Sequence, residues 1–112
     1  MHELSLCRGL LQQVDAIAAE HRAEAISRVT LRIGPLAGVE IPLLKNAFHV
    51  ARQNTVAANA ALSVEAAPLR IYCTRCDKEH AAEISDLRCP ACASVETRLI
   101  SGDELLLVSV SL

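Results

Sequence analysis

The sequence predicts an α+β fold: a small two-helix, mixed-sheet domain into which a tetracysteine ribbon domain is inserted. Three observations point there. Apolar residues recur with a helical period near the amino end, and they alternate with a strand period in three later stretches. Two Cys-x-x-Cys pairs fill the segment before the last of these stretches.

From Leu4 to about His21, the residues Cys7, Leu10, Leu11, Val14, Ile17 and Ala18 fall on one face of a 3.6-residue period, opposite Arg8, Gln12, Asp15 and Glu20. That spacing predicts an amphipathic helix. The period then changes. Val29, Leu31 and Ile33 alternate with Arg28, Thr30 and Arg32, as in a strand with one buried face, and Gly34-Pro35 ends it. A second helix is expected near Pro42, whose fixed φ suits a first helical turn, burying Leu44, Ala47, Phe48 and Ala51.

Residues 53–61 are small and polar enough to form a connection. Beyond it, Leu62, Val64 and Ala66 alternate with Ser63 and Glu65 as a second strand, which Pro68 ends or confines to an edge. From Tyr72 to about Arg98 the composition turns to cysteine, charge and turn residues. Strand character returns at the end, with Val108, Val110 and Leu112 opposite Ser109 and Ser111. Strand-like arms on both sides of the cysteine block mark it as an insertion between two strands of one sheet. The expected division is therefore 1–69 with 103–112 as one domain and 70–102 as the other.

Composition narrows the function classes. Aromatics make up only 2 % of the chain, so its cores must be built from Leu, Val, Ile and Ala. The 11 basic and 13 acidic side chains are interspersed, unlike the basic surface that phosphate binding requires. The opening MHELSLCRGLL has neither the basic leader nor the cleavage signal of a secretory peptide, and no apolar run is long enough to span a bilayer. The expected location is the cytoplasm, without membrane attachment. Thiols stay reduced there, so a Cys-x-x-Cys pair more often means metal than disulfide.

Cys73-Thr-Arg-Cys76 and Cys89-Pro-Ala-Cys92 are separated by twelve residues, and each pair can turn both sulfurs toward one tetrahedral ion. Four thiolates make a closed, structural Zn(II) site with no open position for an activated water, which argues against a hydrolase. Two disulfides, or iron in place of zinc, are the competing readings. Ile84 and Leu87 are the main large apolar residues of the block, so it should be disordered without metal. Asp77 and Ala93 follow the two pairs, where many zinc knuckles carry Gly. Cys7, on the apolar helix face, is expected to be a buried core thiol.

The start Met1-His2-Glu3 has its own chemistry. A free α-amine, the His2 backbone nitrogen and His2 Nδ1 can close two fused chelate rings and present three nitrogens in a plane, the arrangement Ni(II) or Cu(II) prefers; Glu3 could fill the fourth place. His2 is too large for the usual removal of the initiator, so Met1 should remain and supply the amine. His21, His49 and His80 are expected to be surface or packing residues.

Taken together, MHELSLC, the strand and turn VTLRIGPLAGVE, the helix ending in AF, the CxxC…CPxC block and the closing GDELLLVSV resemble the HypA/HybF hydrogenase-maturation nickel chaperones over essentially the whole chain. The resemblance implies that His2 is the principal nickel ligand, with Met1 and Glu3 as adjacent donors. It implies that Cys73, Cys76, Cys89 and Cys92 bind zinc, and that Glu40, in the GVE turn, lies near the nickel. It further implies a non-enzymatic metallochaperone that delivers Ni(II) for maturation of [NiFe]-hydrogenase. Its implied partners are a HypB-type nickel GTPase, the hydrogenase large subunit and in some cases the urease maturation proteins. Whether the chain is a monomer or homodimer is left open. The alternative from another class is a zinc-ribbon adaptor for nucleic acid or the transcription machinery. Against it, the ribbon's Arg75, Lys78, Arg88 and Arg98 are matched by Asp77, Glu79, Glu83, Asp86 and Glu96, and Tyr72 is its one aromatic.

Overall fold

A computed structural model of the chain describes residues 2–112. Helix α1 runs His2–Glu20, strand β1 Arg28–Ile33, helix α2 Ile41–Ala51 and strand β2 Ala61–Ala66. Then follow β3 (Arg70–Cys73), β4 (Lys78–Ala81), β5 (Thr97–Ser101) and β6 (Leu105–Ser111). The strands form two three-stranded sheets, ordered β2-β1-β6 and β4-β3-β5. The chain divides into two compact units. One holds the residues up to Leu31 together with Val39–Glu65 and Leu106–Leu112; the other holds Arg32–Gly38 and Ala66–Leu105.

The first unit is the helical one. In α1 the predicted stripe is buried at Cys7, Leu10, Leu11, Val14 and Ala18, each at most 6 % exposed, while Ile17 is half-buried. It packs on α2. Pro42 sits in the first turn of α2, where a missing N–H costs nothing, and Leu44 and Phe48 are buried. Ala47 and Ala51 are only half-buried, so the apolar stripe of α2 is narrower than its sequence suggests. The Arg52 N–H bonds back to the Phe48 carbonyl at 3.0 Å and the Gln53 N–H to the Val50 carbonyl at 3.5 Å, closing the helix. Fully buried Leu44 and Val14, 0 % exposed, each lend about 1.5 to 3 kcal/mol of apolar burial.

Hydrogen bonds make the first sheet mixed. Ser27 and Ile33 carbonyls accept from Ala61 and Ala67 N–H at 2.9 Å each, a constant offset that sets β1 and β2 parallel. Ser27 and Gly34 N–H donate to Ser111 and Glu104 carbonyls at 2.8 and 2.9 Å, in opposite chain sense, so β6 is antiparallel to β1. Val29, Leu31 and Ile33 are buried, as their alternation predicts. The flanking strands depart from their patterns. In β2 no residue is buried, and Leu62 and Val64 reach only an intermediate environment alongside Ser63. In β6 the expected face fails: Val108 is 41 % and Leu112 56 % exposed, while Leu105, Leu107 and Val110 are half-buried. Both are outer strands of the sheet.

The cysteine segment contains a sheet that alternation did not reveal. Strand β3 pairs antiparallel with β4, Cys73 opposite Lys78, and with β5, Cys73 opposite Thr97. Its core is Ala67, Leu69, Ile71, Cys73 and Cys89. Ile84 and Leu87, the main large apolar residues of the block, are 59 % and 40 % exposed.

Candidate metal centre

Each Cys-x-x-Cys pair is a knuckle that follows from local backbone bonding. The Asp77 N–H donates to the Cys73 carbonyl and the Ala93 N–H to the Cys89 carbonyl, both at 2.8 Å, folding each pair into one tight turn. Closing those turns carries Asp77 to φ 57° and Ala93 to φ 59°, the left-handed region where Gly is at ease. The two places at which the sequence lacks a knuckle glycine are therefore left-handed all the same.

The first knuckle has external support. The Tyr72 hydroxyl donates to the Asp77 carboxylate, and the Arg98 guanidinium lies 5.2 Å from the Tyr72 ring centre. The second knuckle is tied at its base, where the Cys89 N–H donates to the Ser94 carbonyl at 3.0 Å. Ser94 Oγ then accepts the Glu96 N–H at 3.0 Å, and the Glu96 carbonyl accepts both the N–H and the hydroxyl of Thr74, which lies within the first knuckle. Sequence reasoning passed over Tyr72, Thr74, Ser94 and Glu96 as supports. Only the acidic residue after the first pair carried a signal for any of them.

The knuckles bring all four predicted sulfurs together, every ligand atom within 4.8 Å of the others. Cys73 Sγ lies 3.7 Å from Cys92 Sγ, and Cys76 Sγ lies 3.8 Å from Cys89 Sγ. A tetrahedron with metal–sulfur bonds of about 2.3 Å has edges of about 3.8 Å. The cysteines fit a structural zinc site on this geometry. Cys73 and Cys89 are buried, Cys76 is half-buried and Cys92 is the most open of the four.

The sulfurs also compete for protons. Cys76 is pushed up to about 12, first by the Cys92 thiol, then by desolvation and the thiols of Cys89 and Cys73. Burial likewise raises Cys89, but the N–H groups of Cys92 and Ala91 and the neighbouring thiols outweigh it and bring it down to about 7. Binding a divalent cation takes these sulfurs as thiolates and supplies the charge that offsets their mutual repulsion.

The remaining predicted site residues are scattered. His2 opens α1 with an exposed imidazole, its Nδ1 3.9 Å from Glu3 Oε2; the Glu3 side chain is only 17 % exposed. Glu3 also borders an apolar hollow of about 290 Å³ with Leu4, Leu43, Asn46, Ala47 and Val50. Met1 lies outside the described residues. Glu40 is the exposed N-cap residue of α2, with no side-chain cap bond. Among the described residues the four cysteines form the one convergent group of three or more His, Cys, Asp or Glu side chains; Glu40 joins no such group. Cys7 is buried as expected, its thiol 3.5 Å from the Leu44 carbonyl.

Two of the ribbon's cations are engaged: Arg88 makes a two-pronged pair with Asp86 at 2.9 Å, and Arg98 covers Tyr72, the ribbon's aromatic. No helix among the described residues is long and apolar enough to cross a membrane.

The whole chain, residues 1–112, matches the family model described as HypA: Hydrogenase/urease nickel incorporation, metallochaperone, hypA. It is 43 % identical over 112 residues to the hydrogenase maturation factor HypA of Nitrosospira multiformis, covering all of this chain and 97 % of that protein. It is 39 % identical, with the same coverage, to the factor of that name from Aquifex aeolicus. The solution structure of the Ni metallochaperone HypA from Helicobacter pylori superposes with a TM-score of 0.74, covering 98 % of this chain and 96 % of that one at 24 % identity. A second solution structure, of a HypA protein, gives 0.78 over 100 % and 96 % at 24 % identity. The two structures speak for the fold.

Proposed function

The chain belongs to the HypA family of hydrogenase maturation factors and nickel metallochaperones, which are not catalysts, and from that membership we propose that it binds one Ni(II) at its amino terminus. In this reading it passes the ion on for assembly of a [NiFe]-hydrogenase and, in a urease-bearing cell, of urease. The observation that carries the reading is the pairing of an exposed His2 imidazole with the Glu3 carboxylate at the first turn of α1.

Helix geometry supports this placement. The first N–H groups of an α-helix have no partner within the helix, so the His2 amide can lose its proton and become a donor without breaking the ladder. A helix amino end repels cations; the Glu3 carboxylate in the first turn offsets that field. The donors are then the Met1 amine, the His2 amide and Nδ1, and Glu3, with Glu40 a further acidic group on the same reading. Because these donors sit at a chain end instead of in a closed cage, the ion can be handed over. The receiving side is a nickel-handling GTPase of the HypB type and the hydrogenase large subunit, all in the cytoplasm.

The second ion has a different task. Cys73, Cys76, Cys89 and Cys92 would hold Zn(II), which supplies roughly 10 to 16 kcal/mol toward folding the ribbon and no reactive position. The ribbon, residues 70–102 on the reading from sequence, is the zinc-binding domain, and the remainder of the chain is the nickel-binding domain.

The test is Ni(II) titration of untagged protein whose zinc content is one per chain. Wild type should take up one Ni(II); His2→Ala, or one residue added before Met1, should abolish uptake with zinc unchanged. Nickel retained by both altered proteins would place the cargo site elsewhere.

A further inference from the structure

The four sulfurs are not equivalent, and the inequality follows the two knuckles. In the first, the positive φ of Asp77 is borne by a residue type that tolerates it, and the Asp77 carboxylate is anchored by the Tyr72 hydroxyl. In the second, Ala93 stands at φ 59° with a methyl side chain that can form no such anchor. The same knuckle carries Cys92, the most exposed of the four cysteine residues, between exposed Ala91 and Ala93. Cys73 and Cys89 are 0 % and 2 % exposed, and Cys76 is half-buried behind the braced turn. Strain and access therefore coincide on one turn of the cage.

We propose that Cys92 is a modification site, the sulfur at which a peroxide first attacks the tetracysteine cluster, and that Cys73 resolves it to a disulfide that opens the zinc site. This rests on the zinc reading above. The chemistry is balanced. The Cys92 thiolate attacks one peroxide oxygen; an S–O bond forms, the O–O bond breaks and hydroxide leaves, giving a sulfenic acid. The Cys73 thiolate, 3.7 Å away, then attacks the Cys92 sulfur; the S–S bond forms, the S–O bond breaks and a second hydroxide leaves. Two thiolates are oxidised by two electrons in all, and the peroxide is reduced to two hydroxides. Cys76 and Cys89 alone then remain to hold the ion, too few for a structural tetrahedral site. A thiol reductant reverses the change.

Cys73 Sγ, 3.7 Å from Cys92 Sγ across the two knuckles, is the resolving sulfur in this proposal. Cys76 Sγ lies 3.8 Å from Cys89 Sγ, so each of these two close contacts joins a buried cysteine to a more exposed one. Oxidation through Cys92 consumes one pair and leaves the other.

The experiment treats the full chain, first shown to hold one zinc, with hydrogen peroxide below stoichiometry. Released zinc is followed with a chromogenic chelator, free thiols are alkylated and the peptides are mapped by mass. Expected are one Cys73–Cys92 disulfide per zinc released, and zinc loss about threefold slower in Ala93→Gly, which relieves the left-handed strain at unchanged zinc content. A first disulfide between Cys76 and Cys89 or within either pair, or first oxidation at another cysteine, would overturn the proposal. So would an Ala93→Gly release rate equal to wild type. A chain that holds no zinc at the outset sinks the zinc reading itself, a separate result read before any peroxide is added.

Discussion

Gly34 and Gly102 cross in backbone contact, so closely that a β-carbon on Gly34 would overlap the Gly102 carbonyl group. The Leu36 N–H donates to the Gly102 carbonyl at 2.6 Å, and the Gly34 N–H to the Glu104 carbonyl at 2.9 Å. Gly102, at φ 123°, is held by its own N–H, which donates to Glu104 Oε1 at 2.5 Å. The Gly34-Pro35 turn at the end of β1 and the Gly102-Asp103 turn before β6 thus interlock within one compact unit.

Gly34→Ala should consequently destabilise the chain by roughly 3 kcal/mol or more, since backbone on both sides must move. Gly9→Ala is the opposite case: the position is exposed within α1 with nothing near it, and the change should stabilise by roughly 0.5 to 1 kcal/mol. Urea unfolding of zinc-loaded protein measures both. Equal effects of the two substitutions would contradict the crossing.

Removing zinc at neutral pH should collapse the β3, β4 and β5 amide signals while the helices persist. The sheet's buried apolar side chains besides the cysteines are few, chiefly Leu69 and Ile71, so ion binding has to dominate its folding. Amide NMR spectra before and after chelation decide the matter; an unchanged ribbon spectrum in metal-free protein would show that the sheet stands without it.

Acid should strip nickel before zinc. The proposed nickel donors must be free of protons to bind, so acid competes with the ion for them. Nickel affinity should fall at least about tenfold between pH 7.5 and 5. Titrations giving equal affinity at the two values would count against the terminal site.

Cys7 supplies a second pH test at the alkaline end. Burial, and then the Glu3 charge, push its thiol up to about 11 from an ordinary 9.0. The folded chain keeps the proton longer than the unfolded chain does. Its contribution to stability is therefore whole below pH 9 and is lost as pH rises toward 11. Cys7→Ala should show a shallower decline across that window than wild type in parallel urea titrations; identical slopes would argue that the thiol is not buried in solution.

The acidic end belongs to Glu104 and Asp86. The N–H groups of Glu104 itself and of Gly102 hold the Glu104 carboxyl below its usual range, and the Arg88 side chain, then its N–H, hold Asp86 at about 2. Both carboxyls are lowered, so what they contribute is present above the ordinary carboxylate range and disappears as acid protonates them. Glu104→Gln should reduce the steepness of acid unfolding below pH 4.5, with Asp86→Asn, on an exposed pair, changing it much less. Equal changes would deny Glu104 its role at the Gly102 turn.

Some of this molecule was legible in its sequence because the governing forces act between near neighbours. The α1 stripe from Cys7 to Ala18, the alternation of Val29, Leu31 and Ile33, the Pro42 start of α2 and the spacing of Cys73, Cys76, Cys89 and Cys92 are short-range patterns, and the structure reproduces them.

Only the tertiary structure decided the rest. Which side chains of β6 are covered is set by what packs on its faces, and Val108 and Leu112 are exposed despite their alternation. Around the cysteines it is Leu69 and Ile71 that are buried, while Ile84 and Leu87 are exposed. Gly34 and Gly102 lie far apart in sequence, and nothing local marks either as a partner of the other. Periodicity reports which residues can share a face; burial is settled by what the rest of the chain places over that face, and no local pattern encodes it.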